Sequence, residues 1–404
     1  MQTGGLGALL TAAEEASPVE SVDVTARDLQ ARFAARDVSF LLVDIVGERV
    51  VRLARTPDSG DGRGSEQIPL PGSPYEQVLH TQRPWRAAVD GGVRVVLPVT
   101  NRGDCLGVLE LTVPSLDDAA LAELGEAAHA LAYIIVTDRR FTDLYHFGER
   151  TTPVNLAAEI QHQLLPSADC CEAAQFTIAG ALVPADQIGG DTYDYALSRD
   201  ALHLSITDAV GHDVRSALVA TLLVAALRGA RRAGCTLDEQ AAKANQALLE
   251  HVPGATATGQ LARVDLTDGH LDLVNAGHYP PLLLRDDQVK PLDLRASILF
   301  GAAEGTPFEV QHVPLHPGDR LVLFTDGMVE RDAAAVDLAD ITWRTRALHP
   351  REVVRTLTAA VKKACANHLR DDATVACLDW HGPRTNRQAA TGADTTTASA
   401  SPTT

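Results

Sequence analysis

Apolar residues along this chain change period repeatedly, and each change marks a secondary-structure element. Leu29, Phe33 and Ala34 give Val24–Ala35 a helical spacing, and the apolar runs Val38–Ile45 and Val50–Ala54 read as strands. The polar, Gly-containing stretch Thr56–Gln67 reads as a loop, and Pro74–Thr81 as a short helix. Val93–Thr100 and Leu106–Val113 read as two strands around the turn Asn101-Arg102-Gly103-Asp104. Leu121–His146 is a long helical stretch. In it, Leu121, Leu124, Ala128, Leu131 and Ile135 step by three and four, a coiled-coil-like seam that breaks at Asp138-Arg139-Arg140. Two readings of that seam stay open: a helix lying on its own domain, or a parallel dimer helix that carries a signal onward.

The second half begins with a helix over Val154–Leu165, stopped by Pro166. Strands are predicted over Phe176–Leu182, Tyr193–Leu197 and Leu202–Ile206, then two helices over Val214–Arg232 and Leu237–His251. Gln260–Asp265 and His270–Asn275 read as a hairpin through Thr267-Asp268-Gly269. Pro281–Arg285 and Arg320–Thr325 read as strands, Arg351–His368 as a helix and Ala373–Asp379 as the last strand. Residues 1–18 are Gly/Ala-rich and read as a flexible, frayed N-terminus with room for one short helix. Beyond Trp380 the Thr/Ala/Ser-rich chain has no apolar period, so residues 382–404 read as a disordered tail.

Composition narrows the function classes. A chain of 404 residues with 45% hydrophobic content supports two or three domains with real cores. The formal net charge of −18 argues against nucleic acid and anionic membranes as partners. Six cysteines show neither zinc-type nor secreted-framework spacing. The first residues lack a basic segment followed by an apolar core, and the run Ala217–Leu227 is too short to span a bilayer, so a cytoplasmic protein is expected.

The chemistry centres on acidic residues beside turns. Asp191 follows Gly189-Gly190, and Asp208 closes the apolar run from Leu202 and precedes Ala209-Val210-Gly211-His212. Ser198-Arg199-Asp200 between them is a hairpin-like turn, so antiparallel pairing brings the two carboxylates close. Asp326 in Thr-Asp-Gly and the pair Asp371-Asp372 repeat this strand-end context. Carboxylates gathered in this way repel unless a cation lies between them, and Mg²⁺ or Mn²⁺ suits an all-oxygen donor set. Asp194 lies three residues from Asp191 and faces the other way on an extended strand, so it receives no ligand role.

Two resemblances follow. Val95-Val96-Leu97-Pro98-Val99 and Leu106-Gly107-Val108-Leu109-Glu110-Leu111, in their order of helix, strands, loop and long exit helix, resemble a GAF domain, with a PAS-like domain as the alternative. In the second half the order Gln-x-x-Leu-Leu-Pro, Gly-Gly-Asp-x-Tyr-Asp, Asp-x-x-Gly-His, Asn-Ala-Gly-His-x-Pro-Pro, Thr-Asp-Gly-x-x-Glu and Asp-Asp-x-Thr is similar to the SpoIIE-type bacterial metal-dependent serine/threonine phosphatases. That family shares the protein phosphatase 2C fold. The expected class is therefore α+β: a GAF/PAS-like sensor domain over residues 19–137, a helical linker over 138–166, and a phosphatase domain over 167–381 built as a two-sheet β-sandwich flanked by helices.

The resemblance implies two Mn²⁺ or Mg²⁺ ions held by Asp191, Asp208, the carbonyl of Ala209, Asp326 and Asp371, with Asp208 bridging and Asp372 as the alternative to Asp371. It implies site-shaping roles for Gly189, Gly190, Gly211 and Gly327, and a site-adjacent assisting role for His212. His278 is expected to be structural. Thr192 replaces the family's usual aromatic, and Asp213 its usual small residue. The implied reaction is direct hydrolysis of a phosphoserine or phosphothreonine by a metal-activated water, with no covalent nucleophile. The implied substrate is a phosphorylated anti-anti-sigma factor, under control of the sensor domain and of any small molecule that binds it. A homodimer through the linker helix goes with this reading. A catalytically silent binding module in a partner-switching pathway is the alternative.

Overall fold

The computed structural model describes residues 6–44, 47–53, 66–149, 151, 155–185, 189–211, 214–305, 307–366 and 368–383. The chain divides into two compact units, with the boundary between Pro153 and Val154.

In the first unit α1 (Leu6–Glu15) and α2 (Ser21–Phe33) precede β1 (Arg36–Val43), β2 (Arg49–Arg52) and β3 (Glu66–Pro69). Then come α3 (Pro74–Thr81), β4 (Trp85–Val89), β5 (Gly92–Asn101), β6 (Asp104–Val113), α4 (Asp118–Asp138) and α5 (Leu144–Glu149). The six strands form one antiparallel sheet in the order β3-β2-β1-β6-β5-β4. Alternation along the strands sends Phe40, Leu97 and Leu109 into a core shared with α1, α2 and α4, and Leu41, Val96 and Val108 into a smaller one under α3.

Three expectations change here. The N-terminal segment, expected to be frayed with room for one short helix, forms the ten-residue α1 and is packed rather than loose, with Leu9 and Ala13 buried in the main core. The expected long helix ends at Asp138, with a separate α5 after it. The seam residues Leu124, Ala128, Leu131 and Ile135 are all buried in the unit's own core, so this stripe is covered by the sheet and α2 and is not a free dimer surface. α4 is long and apolar enough by composition to cross a membrane, and its buried residues Leu124, Ala128, Leu131 and Ile135 pack into the same core. Strands β3 and β4 were not legible, because both are short and mostly exposed and carry no clean apolar alternation.

The second unit runs α6 (Leu156–Leu164), β7 (Cys170–Glu172), β8 (Phe176–Val183), β9 (Asp191–Leu197), β10 (Ala201–Ala209), α7 (Val214–Arg232) and α8 (Leu237–His251). It continues through β11 (Ala257–Asp265), β12 (His270–Ala276), β13 (Leu282–Arg285), β14 (Gln288–Pro291), β15 (Gln311–Pro314) and β16 (Arg320–Phe324). α9 (Leu338–Arg344), α10 (Pro350–Ala364) and β17 (Ala373–Trp380) complete it. Two antiparallel sheets result, β15-β12-β11-β10-β9 and β14-β13-β16-β17-β8-β7.

The strand sequences explain the layering. On β17, Ala376 and Leu378 face the other sheet together with Ile206, Leu273 and Leu323, whereas Val375 and Cys377 face α10 with Val353 and Leu357. On the opposite flank, Leu223 and Leu227 of α7 and Ala241 and Leu248 of α8 cover Leu261 and Val274. The order is helices, sheet, sheet, helices, an α+β sandwich. The tail expected to be disordered falls, apart from Gly382 and Pro383, outside the described residues, as do His212 and Asp213.

Candidate metal centre

The turn at Ser198–Asp200 sets the register of the β9–β10 hairpin, and that register places Asp208 directly opposite Asp191. Directly opposed residues in an antiparallel pair have Cα atoms about 4.5–5.5 Å apart. One step along, Thr192 and Thr207 are also opposed, and their hydroxyls hydrogen-bond at 2.6 Å. In this chain Thr192 is therefore a cross-strand tie beneath the site.

The second sheet supplies the other carboxylates. Asp326 follows the end of β16, and Asp371-Asp372 precedes β17, the neighbouring strand, so all three lie at one end of that sheet. Two threonines stitch this end to Asp191. The hydroxyls of Thr325 and Thr374 donate to Asp191 Oδ2 at 2.6 and 2.7 Å, and the Thr374 N–H donates to Thr325 Oγ1 at 3.0 Å. Asp191 is thereby fixed in orientation by the sheet opposite its own.

Asp371 and Asp372 divide in role. The Asp372 carboxylate is buried and accepts from the Gln161 side chain at 2.5 Å, from the Ala185 N–H at 2.8 Å and from the Gly189 N–H at 3.1 Å. Gln161 also donates to the Asp191 carbonyl at 2.8 Å, so α6 is latched to both sheets. Asp371 is half-buried and one of the charges that raises both Asp208 and Asp326. Asp371→Asn should weaken divalent-metal affinity with little change in metal-free melting temperature. Asp372→Asn should destabilise the metal-free protein by about 2–3 kcal/mol, because it unpairs buried donors. Metal titration and thermal melts of both variants check this, and the reverse pattern would exchange the two assignments.

The glycines let backbones meet. A Cβ on Gly327 would lie 2.0 Å from the Asp372 carbonyl oxygen, and one on Gly190 would lie 2.5 Å from the Ala209 carbonyl oxygen. Gly189 brings its N–H to Asp372, and Gly211 turns the chain with φ 121 after the strand that carries Asp208.

Electrostatics shows that the cluster is strained without a cation. Burial and then Asp326, Asp371, Asp372 and Glu330 push the Asp208 carboxyl up to about 7. Burial, Asp371 and Glu330 push Asp326 up to about 6, against the Gly327 N–H and Arg331, which pull it down. Asp191 is raised well above the usual range by burial and then by Asp208 and Asp372. An all-oxygen set that repels itself fits hard divalent cations. When bound, such ions supply Lewis acidity to a water and to phosphate oxygens.

Sequence reasoning gave no role to Gln161 or Glu330, although both stand in quoted motifs. What they do depends on contacts with α6 and with Tyr279, whose hydroxyl donates to Glu330 at 3.0 Å, and no local pattern shows these. Asp194 points away, as its spacing predicts, and pairs with Arg228 and Arg231 at 2.9 and 3.0 Å. His278 is buried against Thr258 and exchanges hydrogen bonds with Asn275, and burial lowers its imidazole to about 4. It is structural. Beside the carboxylates a cleft is lined by Asp326, Glu330, Arg331, His368, Arg370 and Asp371.

Residues 198–381 match the family model described as Stage II sporulation protein E (SpoIIE). Over those residues the C-terminal unit is similar to the SpoIIE family. The chain is 23% identical over 237 residues to phosphoserine phosphatase RsbU of Bacillus subtilis (strain 168), spanning 57% of this chain and 70% of RsbU. It is 25% identical over 201 residues to protein IcfG of Synechocystis sp., spanning 43% of this chain but 32% of IcfG. Among solved structures, the RsbU and RsbW domains of Rv1364c from Mycobacterium tuberculosis are 27% identical with a TM-score of 0.47, and the match spans 55% of this chain and 63% of that one. The SpoIIE match takes in Asp208, Asp326 and Asp371, while Asp191 and Gln161 lie before it.

Proposed function

We propose that this protein is a metal-dependent protein serine/threonine phosphatase. The observation that carries the reading is the convergence of Asp191 and Asp208 from one sheet with Asp326 and Asp371 from the other. Asp191, Asp208, Asp326, Asp371 and the Ala209 carbonyl are the residues that would hold two Mn²⁺ or Mg²⁺ ions. Asp372, Thr325 and Thr374 orient them. RsbU is named a phosphoserine phosphatase, which supports a phosphoserine-bearing protein as substrate; an anti-anti-sigma-type regulator is the class proposed. Retention of every carboxylate speaks against a catalytically silent binding module. The first unit, with its six-stranded antiparallel sheet and long α4, serves in this reading as a GAF-like sensor.

Arg331 and Arg370 are exposed in the cleft beside the acidic centre, where guanidinium groups suit an incoming phosphate. Arg370→Ala should raise KM for a phosphoprotein about tenfold with kcat changed little, as expected for loss of one exposed charge-assisted contact. A fall in kcat alone would move Arg370 out of substrate binding.

The deciding experiment measures phosphate release by the full chain from phosphoserine regulator proteins and from small phosphate esters, with Mn²⁺, with Mg²⁺ and with chelator. Metal-dependent release from a phosphoprotein is expected. Release from small esters alone would make this a small-molecule hydrolase, and no release with any metal would favour the silent module.

A further inference from the structure

A second group of donor atoms stands on the same domain, away from the acidic centre. His270 and Asp272 are two residues apart on β12, so they share a face of the strand, and β15 pairs so that His312 lies opposite Asp272. Leu271 and Leu273 point into the core between the sheets, which puts the three polar side chains on the other face. His270 Nε2 lies 3.3 Å from His312 Nδ1 and 3.3 Å from Asp272 Oδ1, and His312 Nδ1 lies 2.7 Å from the same Oδ1. The two imidazoles stack with centroids 5.2 Å apart.

We propose that His270, Asp272 and His312 bind a borderline divalent transition-metal ion, represented by Zn²⁺. Ligands about 2.0–2.2 Å from a tetrahedral zinc stand roughly 3.3–3.5 Å from one another. Two of the three spacings here already have that value, and the third needs a small opening. Two neutral imidazoles and one carboxylate, with a fourth position open to water, form a known type of zinc donor set. Hard Mg²⁺ has little affinity for imidazole, so this site and the carboxylate centre select different ions. Arg263 supports the geometry from the next strand: its guanidinium lies 3.6 Å from Asp272 Oδ2, which leaves Oδ1 turned toward the histidines. Ion binding would replace the contact between His312 Nδ1 and Asp272 Oδ1 and clip the edge strand β15 to β12.

The site is independent of the proposed catalytic centre. Asp208 is opposite Thr258 on β11 and Asp272 is opposite Arg263, five residues further, or roughly 17 Å along the strand. His270 and His312 are exposed and carry no core contact, with side-chain exposures of 46% and 60%.

The test titrates Zn²⁺ into untagged full-length protein against a chromophoric chelator, with saturating Mg²⁺ present to occupy the carboxylate centre. The parent is compared with His270→Ala, His312→Ala and the size-conserving His312→Gln, each checked for parental circular dichroism. The parent should take up one more equivalent of Zn²⁺ than any variant, with the affinity lost by the variants at least about tenfold. Co²⁺ should give the parent an intense visible band of four-coordinate geometry that the variants lack. Phosphate release in Mg²⁺ should be the same in all four proteins. Equal Zn²⁺ uptake by parent and variants, or none by the parent, overturns the proposal.

Discussion

Asp208→Asn should abolish metal-dependent phosphate release while the protein still folds. The side chain keeps its size but loses the charge that stands opposite Asp191 and faces Asp326 and Asp371. In the parent that charge stands half-buried against four acidic neighbours, an arrangement that a cation would relieve. Loss of this carboxylate would weaken the hold on the divalent ions the site would take and, with it, the Lewis acidity they would supply. A fall of about 10³-fold in kcat/KM is expected, equivalent to about 4 kcal/mol of transition-state stabilisation. Without metal, the variant should melt no lower than the parent, because repulsion has been removed. Initial rates across a Mn²⁺ titration, with melts in chelator, check both halves. Turnover within tenfold of the parent would remove Asp208 from the ligand set.

The second large effect is a pH dependence opposite to that of an ordinary paired carboxylate. In metal-free buffer the protein should lose stability as pH rises from about 4 to about 7. Asp208 is raised to about 7 and Asp326 to about 6, whereas carboxyls in an unfolded chain titrate near 3.9. Between these values the native state binds more protons than the unfolded state, so the free energy of unfolding falls as pH increases. Below about 4 both states are protonated and there is no penalty; above about 7 the penalty is fully present. For Asp208 it is at most about 4 kcal/mol, since its neighbours titrate with it. Saturating Mn²⁺ should flatten the slope. Urea midpoints at several pH values, in chelator and in Mn²⁺, measure it, and the difference between parent and Asp208→Asn isolates the centre from other groups. A parent curve in chelator that rises from pH 5 to 7 relative to the variant's would contradict a self-repelling cluster.

The longer helices α7, α8 and α10 of the second half were readable within a few residues because their apolar periods are long, whereas the seven-residue α9 was missed. The Thr236–Glu239 capping box marks the start of α8, and Pro350 that of α10. The short edge strands β3, β4, β7, β14 and β15 were not readable, since runs of three to five residues are too short to show a usable period. The missed β15 also hid the His270–Asp272–His312 cluster, because His312 meets its partners only through that pairing.

The metal centre divides in the same way. Asp191 opposite Asp208 follows from the sequence alone, because a tight turn between two strands sets the register and register is a local property. How Asp371 and Asp372 differ in their hydrogen bonding is not local. The two are adjacent, and the outcome rests on Gln161, Ala185 and Gly189 capturing one carboxylate from distant parts of the chain. The α4 seam shows the same limit. Its spacing determines that Leu124, Ala128, Leu131 and Ile135 form a stripe that must be covered, but periodicity carries no information about what covers it. Here the N-terminal sheet and α2 do so, and burial against the chain's own core takes the surface a second helix would have used.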